Sequence, residues 1–226
     1  PIQKGRLKGK MEKKNKKALV CGASLLIAFV LWTVLVCLVD VQAIGLEGSS
    51  VGFGTLNGYV HNLTGVNMSL YVITDWLGLV PIGIAFGFAV LGLVQLIKRK
   101  SLLKVDRSIL VLGGFYIVVM AVYILFETVV INYRPTLIDG YLEASYPSST
   151  TMLVMCVMPT AMMQLRDRIK NKAFSRCVMI AIAAFVAFMV IGRLVSGVHW
   201  VTDIIGGALV SSGLVITYAT VSNIIK

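Results

Sequence analysis

The sequence predicts an all-α membrane protein, a bundle of six transmembrane helices. Three observations predict it. Hydrophobic residues make up 58% of the 226 residues and charged residues only 14%. A soluble globular domain carries about 25% charged residues, so this chain has too few charges to coat a water-facing surface. Charge-free apolar runs also recur at lengths near 20, enough to cross a hydrocarbon core of about 30 Å. Finally, 19 of the 21 Lys and Arg residues fall in alternate connections between those runs. The length excludes a single-helix anchor carrying a large soluble domain.

The first run, 18–39, has 22 residues and follows a basic stretch, 1–17, with eight Lys and Arg. It exceeds the 7–15 apolar residues of a secretory signal, so it reads as a retained helix. The chain starts at Pro1, which leaves open whether residues 1–10 are native or an expression remnant ahead of Met11. Segment 40–75 is Gly-rich and moderately apolar, and suits a helix lying in the interface. The second run, 76–97, again has 22 residues. The third, 108–126, continues past Glu127 to Val130. The fourth, 150–165, has 16 residues and holds Pro159, and the fifth, 177–192, also has 16. These two need flanking polar residues as outer turns. The sixth, 204–225, has 22 residues, with small residues at Gly206, Gly207, Ser211 and Gly213 that suit close helix packing in lipid. The domain reading is a basic tail, 1–17, and one six-span membrane domain, 18–226.

Orientation follows the positive-inside rule. The basic residues of 1–17, 98–107, 166–176 and Lys226 share one side, and Arg134 and Arg193 lie on the other. Both termini are therefore expected in the cytoplasm of a plasma-membrane protein. The net charge of +11 is this topogenic excess rather than a nucleic-acid surface. Cys21, Cys37, Cys156 and Cys177 lie in or beside apolar runs without metal-ligand spacing, and read as small packed hydrophobes. No cofactor and no metal is expected. Two Asn-x-Ser/Thr patterns, at Asn62 and Asn67, carry no weight in a chain read as bacterial.

Ionisable residues at membrane depth are costly and mark function. Glu127, Arg134, Arg193, His199 and Asp203 all fall near the outer ends of spans three, five and six. The loop Tyr146-Pro147-Ser148-Ser149-Thr150 enters span four on the same side. In Gly192-Arg193-Leu194-Val195-Ser196-Gly197-Val198-His199-Trp200-Val201-Thr202-Asp203, Ser196-Gly197 can turn the chain, and Asp203 follows His199 by four residues on one helix face. A carboxylate there can fix the imidazole tautomer and leave the other nitrogen as a nucleophile or base. Arg193 and Arg134 offer planar forks for phosphate oxygens. Ser148 and Ser149, ahead of a helix, offer backbone N–H groups where the helix dipole favours an anion. Each residue alone has a plainer reading, a solvated His or a snorkelling Arg. Their spacing and shared side favour a phosphoryl-transfer site.

At these residues the chain resembles the type 2 phosphatidic acid phosphatase (PAP2) family, membrane lipid phosphatases related to vanadium haloperoxidases. The family pattern is K-x6-R-P, then P-S-G-H, then S-R-x5-H-x3-D. This sequence keeps Arg134-Pro135, Pro147-Ser148, and Arg193, His199 and Asp203 in order, across roughly 76–226. The resemblance implies a PAP2/haloperoxidase-like core with its site at the outer face. It implies His199 as the nucleophile forming a phosphohistidine and Asp203 as its orienting partner. Arg134, Arg193, Ser148 and Ser149 would bind phosphate. Departures are Glu127 at the Lys position, Thr150 at the second-motif His position, Ser149 for Gly, and Gly192 for Ser. The His is the family's general acid and the Lys a phosphate ligand. Glu127 either pairs with Arg134 two turns along one helix face or serves as an altered acid. His61, in the first outer segment, is a candidate replacement acid if that segment folds over the site.

The expected function is hydrolysis of a lipid phosphate. Candidate substrates are a polyprenyl (undecaprenyl-type) diphosphate, phosphatidylglycerol phosphate and phosphatidate. A diphosphate expels a phosphate and needs an acid least, which tilts the reading toward it, while the missing Lys argues against it. The alternative is an inactive relative that binds lipid phosphates or a protein partner. Expected partners are the substrate and membrane lipids, with no nucleic acid, and the sequence leaves the oligomeric state open. The stripe of Met152, Met155, Met158, Met162 and Met163 reads as core or as a groove for a lipid chain. Trp200, Tyr133, Tyr141 and Tyr146 read as an interfacial aromatic belt.

Overall fold

Apolar runs of this length hydrogen-bond internally as helices because lipid offers the backbone no partner. The computed structural model describes residues 2–225, with side chains at 9 and 11–225. Its helices are α1 (Ile2–Leu38), α2 (Gly54–Thr64), α3 (Met68–Leu77), α4 (Leu79–Arg99), α5 (Arg107–Thr128), α6 (Ser149–Arg166), α7 (Lys172–Val195) and α8 (Val201–Ile225). Among the described residues β pairing is confined to isolated bridges.

Among the described residues five stretches are long and apolar enough to cross a membrane: Met11–Leu38, Met68–Arg99, Arg107–Thr128, Lys172–Val195 and Val201–Ile225. The sixth expected span, α6, falls outside this set. It is the interior helix, packed against α4, α5, α7 and α8. It carries buried Thr151, Thr160 and Gln164 beside its apolar residues. A helix walled by protein can hold polar groups that a lipid-facing helix cannot. Gln164 bonds the Tyr218 hydroxyl at 2.8 Å, and Thr160 bonds the Cys156 and Val157 carbonyls.

Several boundaries differ from the sequence reading. The basic stretch is helical from Ile2 on and continuous with the first span in α1, because Lys, Arg, Glu, Leu and Met are good helix formers. The second run begins earlier and breaks at Gly78 between α3 and α4. Pro81 in the first turn of α4 has no N–H to give Leu77, so the ladder cannot run through. Segment 40–75 holds α2 and most of α3; α2 packs on α8 and α3 on α7. Only Cys156 is buried; Cys21, Cys37 and Cys177 are exposed on helix surfaces. Trp200 and Tyr146 are buried, at 3% and 1% exposure, so only Tyr133 and Tyr141 remain available to an aromatic belt.

The long helices alternate in direction. The C-terminal ends of α1, α5 and α7 meet the N-terminal ends of α4, α6 and α8 at one end of the bundle. Trp32 near the end of α1 bonds the Thr202 carbonyl at the start of α8 at 3.1 Å. Gly206 and Gly207 of α8 serve that end, and Gly213 packs against Leu26 of α1. A Cβ at Gly206 would stand 2.6 Å from the Tyr146 ring, so the missing side chain lets the Tyr146-Pro147-Ser148 loop seat on α8. Tyr146 bonds Thr33 at 2.7 Å and stacks with Phe29, tying the loop to α1 as well.

Candidate functional site

The connection 129–148 doubles back as a ribbon held by two isolated bridges, Tyr133 with Ala144 and Ile138 with Tyr141, and closed by Asp139-Gly140, both at positive φ. Its rungs are Ser145 N–H to the Asn132 carbonyl (2.9 Å) and Arg134 N–H to the Glu143 carbonyl (3.0 Å). Alternation along paired strands then puts Asn132, Arg134, Glu143 and Ser145 on one face. Asn132, Arg134 and Ser145 contact the His199-to-Asp203 turn. Trp200 anchors the ribbon by donating its indole N–H to the Tyr133 carbonyl at 2.7 Å.

Asp203 is fully buried and caps the start of α8 with one half of a capping box: its Oδ2 accepts the Trp200 backbone N–H at 2.9 Å. His199 is buried beside it, with Nδ1 3.7 Å from Oδ2, too long for a hydrogen bond. The expected direct contact is therefore replaced by a bridge. The Ser145 hydroxyl donates to Asp203 Oδ2 and stands 3.1 Å from His199 Nδ1. On the other side of the ring, Arg134 Nη1 lies 3.3 Å from Nε2. A guanidinium only donates, so Nε2 accepts and the proton sits on Nδ1. The chain then runs Arg134 N–H to Nε2, Nδ1–H to Ser145, and Ser145 O–H to Asp203. Burial, with Arg134 and Arg193 adding to it, holds the His199 pKa well below 6.5, so the imidazole is neutral at physiological pH.

Arg193, at 1% exposure, ends α7 against three residues of α3: Tyr71, Thr74 and Asp75. These share one helix face at spacings of three and four. Asp75 Oδ1 is 3.5 Å from Arg193 Nη1, Thr74 Oγ1 is 3.4 Å away, and the Tyr71 ring lies under the guanidinium at 4.9 Å. Arg134 has a carboxylate of its own, with Nε 3.1 Å from Glu143 Oε2. The expected pairing of Glu127 with Arg134 on one helix does not occur. Helix α5 ends at Thr128, and Arg134 lies in the ribbon beyond it. Glu127 instead lines a small cavity with Ser145, Ser149 and Tyr123.

Ser148 caps α6, its hydroxyl accepting the Thr151 N–H at 3.4 Å. Its own N–H is given to the Asp203 carbonyl at 3.1 Å, so that amide is occupied. Thr150 is half-buried at the start of α6 and faces the α3–α4 joint at Gly78. His61 rests on Trp200, ring centroids 5.4 Å apart, and burial lowers its pKa. Its segment does fold onto the site end: Asn67 N–H bonds the Ser196 carbonyl, and Asn57 bonds Thr202. Among the described residues no group of His, Cys, Asp and Glu is arranged to hold a metal.

The structure thus joins His199, Asp203, Arg134, Arg193 and Ser148 at one end of the bundle. Sequence reading missed Ser145, Asn132, Glu143 and the α3 face. The Asp139-Gly140 turn between Asn132-x-Arg134 and Glu143-x-Ser145 was the available signal for the ribbon. The polar triplet of α3 was the signal for the second.

Residues 82–225 match the PAP2 superfamily model. The chain belongs to the PAP2 superfamily. Its fold is similar to that of the first transmembrane PAP2 type phosphatidylglycerolphosphate phosphatase from Bacillus subtilis, solved by crystallography. That match has a TM-score of 0.54 and 20% identity over 91% of this chain and 97% of the other. None of the curated proteins matches the sequence.

Proposed function

We propose that this protein is a membrane lipid-phosphate phosphatase working through a phosphohistidine on His199. The observation that carries the reading is the oriented chain from Arg134 through His199 and Ser145 to Asp203. A protein that only bound phosphate would have no need of a buried neutral imidazole with a defined free nitrogen.

In the first step the substrate phosphate draws Arg134 off Nε2 and onto its oxygens, with Arg193 as a second fork. Nε2 then attacks phosphorus, and the bond to the leaving oxygen breaks with its electron pair on that oxygen. The developing imidazolium keeps its Nδ1 proton, which Ser145 accepts as a hydrogen bond and Asp203 stabilises through Ser145. In the second step water attacks phosphorus, the P–N bond breaks, and the electron pair returns to Nε2. Phosphate leaves, and the water proton passes to solvent. Thr150 offers no acid for the first step. A lipid diphosphate, which expels a phosphate monoester, suffers least from that loss, since proton donation contributes typically 10²–10⁴-fold to harder departures. The favoured substrate is therefore a polyprenyl diphosphate, ahead of phosphatidylglycerol phosphate and phosphatidate. The positive-inside rule supports a reading with both termini in the cytoplasm and the site at the outer face.

A second reading has an observation of its own. Each arginine already faces a carboxylate, Glu143 or Asp75, and Arg134 covers the nucleophile. That arrangement suits a non-catalytic relative that binds lipid phosphates or a protein partner. Phosphate release from the three lipids in nanodiscs, with His199→Ala as blank, separates the two. Release that vanishes in the variant supports the enzyme. No release above blank from any lipid leaves the binder.

A further inference from the structure

The end of the bundle opposite the site carries a cavity that the phosphatase reading does not use. It lies between the C-terminal part of α6 and the N-terminal part of α7, with a volume of 810 Å³. Met162 and Met163 line its apolar side, and Arg166, Lys170, Lys172 and Arg176 its polar side. The methionine stripe therefore divides: Met152 and Met158 are buried core, and the last two face this cavity.

The charge around it is one-sided. Segment 166–176 holds five basic residues and one acid, Asp167. Arg168 is engaged elsewhere, bonding the Gln164 carbonyl at 2.8 Å. The other four basic residues all line the cavity. Helix α7 also begins there, capped by Asn171, and its N-terminal dipole favours an anion. Ile169 and Met179 complete the apolar side. An apolar floor under a cationic rim, at the end of lipid-facing helices, is complementary to a molecule with a hydrocarbon chain and an anionic head. Basic pockets between membrane helices bind anionic headgroups on this principle. Methionine, unbranched and polarisable, accommodates a chain of variable shape.

We propose that this cavity is a binding site for an anionic phospholipid of the leaflet facing the basic end, separate from the site at His199. The head sits among Lys170, Lys172, Arg166 and Arg176, and one acyl chain lies along Met162 and Met163. The site acts independently of turnover, so it stands or falls apart from the phosphatase reading.

Native mass spectrometry of protein released from nanodiscs tests it. Phosphatidylglycerol in a phosphatidylcholine background should be retained preferentially on the wild type. Lys170→Gln, Lys172→Gln and Arg176→Gln together should lower that retention, by about fivefold per charge. Lys98→Gln with Lys100→Gln removes charge at the same end but away from the cavity, and should leave retention intact. Met163→Trp, which fills the floor without changing charge, should also reduce it. The proposal is overturned if the Lys98/Lys100 pair lowers retention as much, since the effect would then be general membrane electrostatics. It is overturned equally if phosphatidylcholine is retained as well as phosphatidylglycerol, or if soluble glycerol phosphate displaces the lipid at millimolar concentration.

Discussion

At the scale of single residues the site turns on how a buried histidine is kept neutral and aimed. Nδ1 has no direct carboxylate at bonding distance, so Ser145 carries the orientation. Ser145→Ala should lower kcat by roughly 10–10²-fold with little change in KM, while Ser145→Thr retains part of the activity. Unchanged kcat in Ser145→Ala would remove the serine from the chain. The low His199 pKa has a pH signature. A free histidine titrates near 6.5, so the acid limb of kcat/KM should lie below that value. The same shift acts on stability. Below about 6.5 the unfolded chain takes up a proton that the folded chain refuses, so stability falls with decreasing pH until the folded pKa is reached. Thermal melts of wild type and His199→Phe from pH 7.5 to 5 should converge as pH falls. An acid limb at or above 6.5 would contradict the burial argument.

The missing acid is also a residue-scale matter. Thr150→His should raise turnover of a phosphomonoester, by up to the 10²–10⁴-fold that proton donation supplies, and do less for a diphosphate. Equal gains on both would mean that leaving-group quality is not what the wild type depends on.

At the scale of elements, three pieces converge: the ribbon 129–148, the turn before α8, and the C-terminal end of α7. Helix α3 is the fourth and lies outside the family match at 82–225. It brings Asp75, 56% exposed in its side chain, against Arg193. A bound phosphate must compete with this carboxylate for the guanidinium. Asp75→Asn should therefore lower KM for an anionic lipid several-fold while leaving kcat nearly unchanged, and a raised KM would make Asp75 a supporting ligand instead. The ribbon depends on α8 staying bare at Gly206. Gly206→Val would drive a side chain into the Tyr146 ring, costing about 1–3 kcal/mol as overpacking and displacing Ser145 and Ser148 with the loop. Activity should fall further than melting temperature alone accounts for.

At the scale of the whole molecule the bundle sorts charge by end. One end holds the site, and the other holds the basic connections and the Met-lined cavity. The lateral surface is apolar, with Ile82, Phe86 and Ile97 of α4 and Ile117 of α5 more than half exposed, as lipid contact demands. The proposed chemistry uses side chains alone, so orthovanadate should inhibit turnover by occupying the phosphoryl position between His199, Arg134 and Arg193. A chelator should leave turnover unchanged. Inhibition by the chelator, or indifference to vanadate, would count against this site.

Much was legible in the amino-acid order. Apolar runs near 20 residues fix helices because unpaired backbone is intolerable in lipid. Costly ionisable residues at helix ends stand out against such a background, which is why Arg134, Arg193, His199 and Asp203 could be picked out together. Other features needed the tertiary structure, because they depend on distances between segments far apart in the chain. Asp203 reaches His199 through Ser145 because the ribbon seats a hydroxyl between them. Glu127 is parted from Arg134 because α5 ends at Thr128, nearly two turns before Arg134. Arg193 meets Asp75 because α3 packs against α7. Helix α6 can be less apolar than its neighbours because they, not lipid, surround it. Local pattern determines which segments are helices and which residues cost too much to be incidental. Packing decides which of those residues touch, and hydrogen-bond chemistry is set by that contact.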